Sequence, residues 1–167
     1  MKGITDLGFV SPTPIQEQAI PVLLGGDRDF VGLAQTGTGK TAAFGLPLLQ
    51  QLDLKLNKPQ GLILCPTREL CLQITNDLKN FSKHLGDVNI VAVYGGSSIV
   101  QQLRELKRGV HIVVATPGRL LDIIDRGAVN FENVRYAVLD EADEMLNMGF
   151  QEDINSILSH TPEGKTT

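Results

Sequence analysis

The sequence predicts an α/β domain, a parallel sheet covered by helices on both faces, and three observations carry that expectation. Short runs rich in Val, Ile and Leu alternate with helical stretches, a glycine loop joins the first such run to a helix, and a cluster of acids follows the last run. Strands buried on both faces read as continuous apolar runs, and parallel neighbours need a crossover between them, so the alternation predicts repeated βα units. The 167 residues are enough for one domain with its own core, and no internal repeat, low-complexity segment or linker divides residues 1–167.

Taken in order, Gly8 to Gln16 is a proline-stiffened turn running into a short helix, with Thr13 at the N-cap and Pro14 at the first helical position. Asp29 to Ala34 is an apolar run fit for a buried parallel strand, and Thr41 to Leu52, rich in Ala, Leu and Phe, is fit for a helix. Pro47 removes one donor from that helix, which predicts a kink or an irregular turn. Further strands are expected over Gly61 to Cys65, Asn89 to Tyr94, His111 to Ala115 and Arg135 to Leu139. Leu70, Ile74, Leu78 and Phe81 form one stripe at helical spacing, which predicts a helix over Glu69 to Leu85. Shorter helices are expected over Ser97 to Arg108, Pro117 to Asp125 and Phe150 to Leu158.

The stretch Ala34-Gln35-Thr36-Gly37-Thr38-Gly39-Lys40-Thr41 reads as a phosphate-binding loop, with Ala34 where the general pattern has Gly. Gly37 and Gly39 lack a Cβ, so the backbone can curl into a nest of inward N–H groups. Lys40 supplies charge for the β- and γ-phosphates, Thr41 a hydroxyl for Mg²⁺, and the helix that follows a favourable dipole. At the other end, Asp140-Glu141-Ala142-Asp143 follows an apolar strand. Carboxylates at a strand end are costly without a partner, and a magnesium ion would be one: Asp140 would orient Mg²⁺ and Glu141 the attacking water. Phe9 and Gln16, seven residues apart, could close on one flat polar ring by stacking and edge pairing.

The net charge of −4 argues against a general polyanion-binding surface, so any nucleic-acid contact must come from a local patch. No apolar run is long enough for a bilayer and no signal-peptide layout opens the chain, which makes the cytoplasm the expected compartment. Cys65 and Cys71 are too few for a zinc site and are expected as reduced, buried thiols. His84, His111 and His160 have no partner implied by spacing and are expected at surface or edge positions. Arg104, Lys107 and Arg108 form a small basic cluster, read as a solvated helix face that could border a nucleic-acid path.

Together these strings resemble the first RecA-like domain of DEAD-box ATP-dependent RNA helicases over nearly the whole chain. Gly8 to Gln16 resembles that family's Q motif, Ala34 to Thr41 its motif I, and Asp140 to Asp143 its motif II. Pro66-Thr67-Arg68-Glu69-Leu70 is similar to motif Ia, Gly95-Gly96 to the glycine doublet, and Thr116-Pro117-Gly118-Arg119 to motif Ib. The resemblance implies that Phe9 stacks on the adenine of ATP and that Gln16 pairs with its edge. It also implies that Pro66, Thr67, Arg68, Gly95, Gly96, Thr116, Pro117, Gly118 and Arg119 contact the sugar-phosphate backbone of one RNA strand. None of these offers an aromatic platform, so base-sequence readout is not expected. A stand-alone binding module and a P-loop kinase for a small molecule are the alternatives. The intact Lys40, Thr41, Asp140 and Glu141 speak against the first, and the Q, Ia and Ib strings against the second. By resemblance, motif III would begin just past Thr167, on a strand lying between those that bear motifs I and II, and a second RecA-like domain would supply an arginine finger. The chain is therefore expected to be the N-terminal part of a longer helicase that unwinds RNA locally at the expense of ATP.

Overall fold

The computed structural model describes residues 2–26 and 28–167. Helices α1 (Lys2–Asp6), α2 (Pro14–Gly25) and α3 (Lys40–Gln50) come before the first strand. The chain then alternates through β1 (Gly61–Leu64), α4 (Arg68–Phe81), β2 (Ile90–Val93), α5 (Ile99–Lys107), β3 (Ile112–Ala115), α6 (Pro117–Asp125) and β4 (Tyr136–Leu139). Helices α7 (Ala142–Asn147) and α8 (Gln151–Ser159) follow. The four strands form a parallel sheet in the order β2-β3-β1-β4, as the alternation of apolar runs predicts.

Successive residues of a strand point to opposite faces, so each strand feeds two cores. Leu62, Leu64, Val91, Val93 and Val113 meet Leu106, Leu120, Ile123, Met145 and Ile157 from α5, α6, α7 and α8 on one face. Ile63, Ile90, Ile112 and Val114 meet Leu48 and Leu49 of α3 and Ile74 and Leu78 of α4 on the other. With both faces covered, no polar residue needs to alternate in. Each such side chain contributes about 1.5–3 kcal/mol by leaving water, which is why these short strands hold.

Four local expectations are corrected. Asp29 to Ala34 is not a strand: its backbone bonding to a neighbour is Phe30 N–H to the carbonyl of Thr167, at 2.9 Å. Thr166 lies between this segment and β4, in a parallel bridge with Tyr136. An apolar run makes a strand only where a ladder partner runs beside it, and here Val31 and Leu33 stand 89% and 97% exposed. The helix expected to reach Leu85 ends at Phe81, because Ser82 turns its hydroxyl back to the carbonyl of Lys79 and tight turns follow through Leu85. Pro47 does not interrupt α3, since its fixed φ is helical and only one donor is lost. His111 is buried, not at the surface. Its Nδ1 accepts from the N–H of Asn89 at 3.0 Å, which leaves the proton on Nε2, facing the carbonyl of Leu54 at 3.4 Å.

Cys65 and Cys71 are free and buried. The neighbouring Cys71 thiol, as a hydrogen-bond partner, and then burial push the Cys65 thiol far up, so Cys65 is not an available thiolate. Because all strands run the same way, the segments at 65–68, 94–98, 115–119 and 139–141 emerge on one edge of the sheet, each at the start of a helix.

Candidate functional site

The loop that opens α3 owes its shape to two glycines in the left-handed region, Gly37 at φ 82° and Gly39 at φ 83°. Gly39 is needed for space as well, because a Cβ there would lie 2.4 Å from Nε2 of Gln16. The turn before α2 grips this loop. Thr13 donates its hydroxyl to the carbonyl of Thr38 at 2.8 Å, and Gln16 donates Nε2 to the carbonyl of Gly39 at 3.2 Å. Gln16 Oε1 in turn accepts from the N–H of Thr13 at 3.0 Å. In a planar trans peptide the N–H points away from the carbonyl, so holding these carbonyls turns the N–H groups of Gly39 and Lys40 to the other side, where an anion would bind them. Thr13, expected only as a helix cap, thus spends its hydroxyl on the loop. Sequence could not show this, since its acceptor is 25 residues away.

On that other side lies a cavity of about 320 Å³, lined by Phe9, Gly37, Lys40, Thr41, Asp140 and Glu141 among others. Gln16 is not among its walls: at 4% exposure it sits behind the loop, though each end of its amide keeps a second bonding position. Ala34 is half-buried, and Gln35 and Thr36 are exposed at the loop's mouth. Lys40 Nζ stands 3.7 Å from Asp140 Oδ1. Burial pushes the Asp140 carboxyl up, while the charge of Lys40 and the N–H of Glu141, bonded to Oδ1 at 3.1 Å, pull it down. Glu141 adopts φ 54° and ψ 48°, the left-handed conformation found in no other non-glycine residue among those described. Strain of this kind, worth about 1–3 kcal/mol, is typical of residues held for function. Thr41 and Asp140 offer hard oxygen ligands in one cavity, a donor set that suits Mg²⁺ completed by substrate phosphates. The opposite wall is α4, with Asp77, whose carboxyl burial pushes up, and Phe81.

The second group of candidate residues lies along the same edge. Thr67 caps α4 by accepting from the N–H of Leu70, and Ser98 caps α5 by accepting from that of Gln101. Thr116, at the start of α6, makes no such side-chain cap, which leaves its hydroxyl free of that duty. Gly95, Gly96 and Gly118 are exposed, whereas Pro66 and Pro117 are buried as the rigid bases of their turns. The three turns are tied together. Arg68 Nη1 reaches the carbonyl of Gly96 at 3.4 Å, and its guanidinium lies 5.1 Å from the centroid of Tyr94. Arg119 Nη1 donates to the carbonyl of Ser97 at 3.0 Å and to Gln102 Oε1 at 3.1 Å, and Gln102 Nε2 donates to the carbonyl of Tyr94. Tyr94, outside the candidate residues, therefore places an aromatic ring next to the glycine doublet, with Arg68 over one of its faces. Tyr94 and Gln102 were missed because strand and helix periodicity account for both. Arg104, Lys107 and Arg108 lie at or just past the C-terminal end of α5, away from this edge, which fits a solvated helix end.

A parallel sheet that gathers a phosphate loop and a strand-end carboxylate pair along one edge defines the class of P-loop nucleotide-binding domains. Known proteins narrow the class. The family model of the DEAD/DEAH box helicases matches residues 13–167. The ATP-dependent RNA helicase DeaD of Escherichia coli K12 is 54% identical over the whole chain, and that of Mycobacterium tuberculosis H37Rv is 50% identical over 165 residues. A crystal structure of a DEAD box protein from Methanococcus jannaschii superposes with a TM-score of 0.93 at 43% identity, over 99% of this chain and 45% of that one. One of a hypothetical ATP-dependent RNA helicase from Sulfolobus tokodaii gives 0.87 at 36% identity, over 99% and 47%. The chain belongs to the DEAD/DEAH box helicase family. It spans 26% and 29% of the length of the two curated relatives.

Proposed function

We propose that residues 1–167 are the first RecA-like domain of an ATP-dependent RNA helicase, binding ATP and the backbone of an RNA strand on one edge of the sheet. The observation that carries this reading is the convergence of Lys40, Thr41, Asp140 and Glu141 on one cavity, with the turns at Arg68, Gly96 and Arg119 further along the same edge. Phe9 would stack on adenine from the cavity, Gln16 would meet the base edge only through the amide positions left beyond its bonds to Thr13 and Gly39, and the loop N–H groups with Lys40 would hold the phosphates. Thr41 and Asp140 would hold Mg²⁺, which when bound neutralises charge on the β- and γ-phosphates. Glu141, fixed by its backbone conformation, would orient the attacking water and accept its proton. Phosphoryl transfer is mainly positioning and charge stabilisation, so full turnover would need the arginine that a second RecA-like domain supplies.

RNA would be held through phosphates by exposed glycine N–H groups, helix N-termini and Arg68, without base readout. Its proximity to the nucleotide is what would couple hydrolysis to local strand separation. The test is a pair of variants in the full-length protein. Lys40→Ala should lose affinity for a fluorescent ATP analogue, whereas Glu141→Gln should bind it normally and lose RNA-stimulated hydrolysis. If both bind equally poorly, the division of roles is wrong.

A further inference from the structure

Phe81 closes the stripe Leu70, Ile74, Leu78, Phe81, and periodicity assigns it wholly to the core. Its surroundings say otherwise. Phe81 is half-buried and lines the same cavity as Phe9 and Lys40. The two rings meet edge to face, with centroids 6.2 Å apart and planes at 69°. Phe81 also lies near Gly45 of α3, where an added Cβ would lie 3.7 Å from the Phe81 ring and 2.7 Å from Leu78. A second contact fastens the same two segments: Asp6, at the end of α1, reaches His84 Nε2 at 2.7 Å.

From this geometry we infer that the C-terminal turn of α4 is a positioning surface for the base-stacking ring, with Phe81 as the residue that fixes the plane of Phe9. A stacking ring contributes most when its plane is set before the ligand arrives, because the ordering cost has then been met by folding. Phe9 sits on a short turn with no strand or long helix of its own, so its orientation must come from a neighbour. Phe81 is that neighbour, and it is braced by α3, the helix that begins at the phosphate loop, so the ring and the loop share one rigid reference. Phe9 is 39% exposed and lines the cavity, so the pair with Phe81 leaves part of its ring surface open to a ligand. The Asp6–His84 pair holds the chain just before Phe9 to the chain just after Phe81 and adds a weaker, solvent-screened restraint.

This inference rests on the reading of Phe9 as the adenine platform, and the test separates the two. Affinities of the full-length protein are measured for ATP, for GTP and for inorganic triphosphate, which has no base. Phe81→Ala should weaken ATP by about two- to tenfold, the range of an aromatic pair, and narrow its advantage over GTP. Inorganic triphosphate should bind as before. Phe81→Tyr, which keeps the ring, should retain ATP affinity, and Phe81→Leu, which keeps apolar volume without the ring, should not. Combined with Phe9→Ala, Phe81→Ala should add little further loss, because it acts through Phe9. Equal losses for ATP and triphosphate, unchanged ATP binding, or additive losses in the double variant would each overturn the positioning role while leaving the adenine reading intact. If Phe9→Ala itself leaves the ATP preference unchanged, the adenine reading fails and this inference with it. Should Phe81→Ala not fold, Phe81→Leu carries the same comparison, and no selective loss of ATP from it would overturn the role.

Discussion

At the scale of single residues, Asp140 and Glu141 are held at a cost to the domain, and each cost has a measurable sign. Burial raises the Asp140 carboxyl above its ordinary value of 3.8. A carboxyl raised in the folded state binds its proton more readily there than when unfolded. Its contribution to stability is therefore full at low pH and is lost as pH rises through its folded pKa. At neutral pH the charged form is a burden, relieved in part by Lys40 at 3.7 Å. Asp140→Asn should accordingly melt at or above the temperature of the unaltered protein at pH 7, while losing Mg²⁺-dependent nucleotide binding. A marked fall in melting temperature at pH 7 would show that the ion pair outweighs the desolvation. Glu141 stores its cost in the backbone, at φ 54°. Glu141→Gly, freed of that strain, should lose hydrolysis without losing stability, and a clear drop in a denaturant melt would count against strain. That carboxylates stand together at this strand end was legible in the sequence, because the residue types are unusual there. Their backbone conformation was not, because nothing local demands a left-handed glutamate.

At the scale of elements, α2 to α6, α8 and the two-sided core could be read from the sequence, whereas α1, α7 and the packing that fixes α4 against α3 could not. Gly45 looks unremarkable in the sequence, an isolated glycine in a helix that carries its own cost against alanine. Its reason is the neighbouring helix, since a Cβ there would lie 2.7 Å from Leu78 Cδ2. Gly45→Ala should therefore destabilise by about 1–3 kcal/mol through overpacking, against the gain that helix propensity alone predicts. Chemical denaturation decides between the two signs. The other elements missed have the same character. Asp29 to Ala34 has the composition of a strand without the ladder, His111 is held by backbone groups of two other segments, and Thr13 serves a loop beyond its own helix. Local pattern reports which faces are apolar, whereas pairing and polar bonding between distant segments depend on the assembled fold.

At the scale of the molecule, the two halves of the site make different demands on the chain. With a net charge of −4, the domain cannot hold RNA by its overall field, and the candidate edge offers Arg68 exposed and Arg119 already committed to Ser97 and Gln102. Arg68→Ala should lower the slope of log affinity against log salt by about one for single-stranded RNA of any sequence, and a slope left unchanged would remove Arg68 from the phosphate contacts. The nucleotide half depends on a segment with little support of its own. Asp29 to Ala34 delivers the chain to the phosphate loop, yet Val31 and Leu33 are exposed and a cavity of about 140 Å³, lined by Phe30, Tyr136 and Leu139 among others, separates the segment from β4. Thr166 and Thr167 enter that gap in strand-like pairing. An extended segment running on from them would ladder with both sides and cover the exposed side chains, turning Asp29 to Ala34 into the strand its composition predicts. Residues 1–167 expressed alone should then melt lower and aggregate more readily than a longer form of the protein. Val31→Thr with Leu33→Thr should reduce aggregation of residues 1–167 but destabilise the longer form, where those side chains would be buried. Equal melting temperatures for the two lengths, or a double substitution neutral in the longer form, would show that this segment gains no partner and that the phosphate loop is held by α2 and α3 alone.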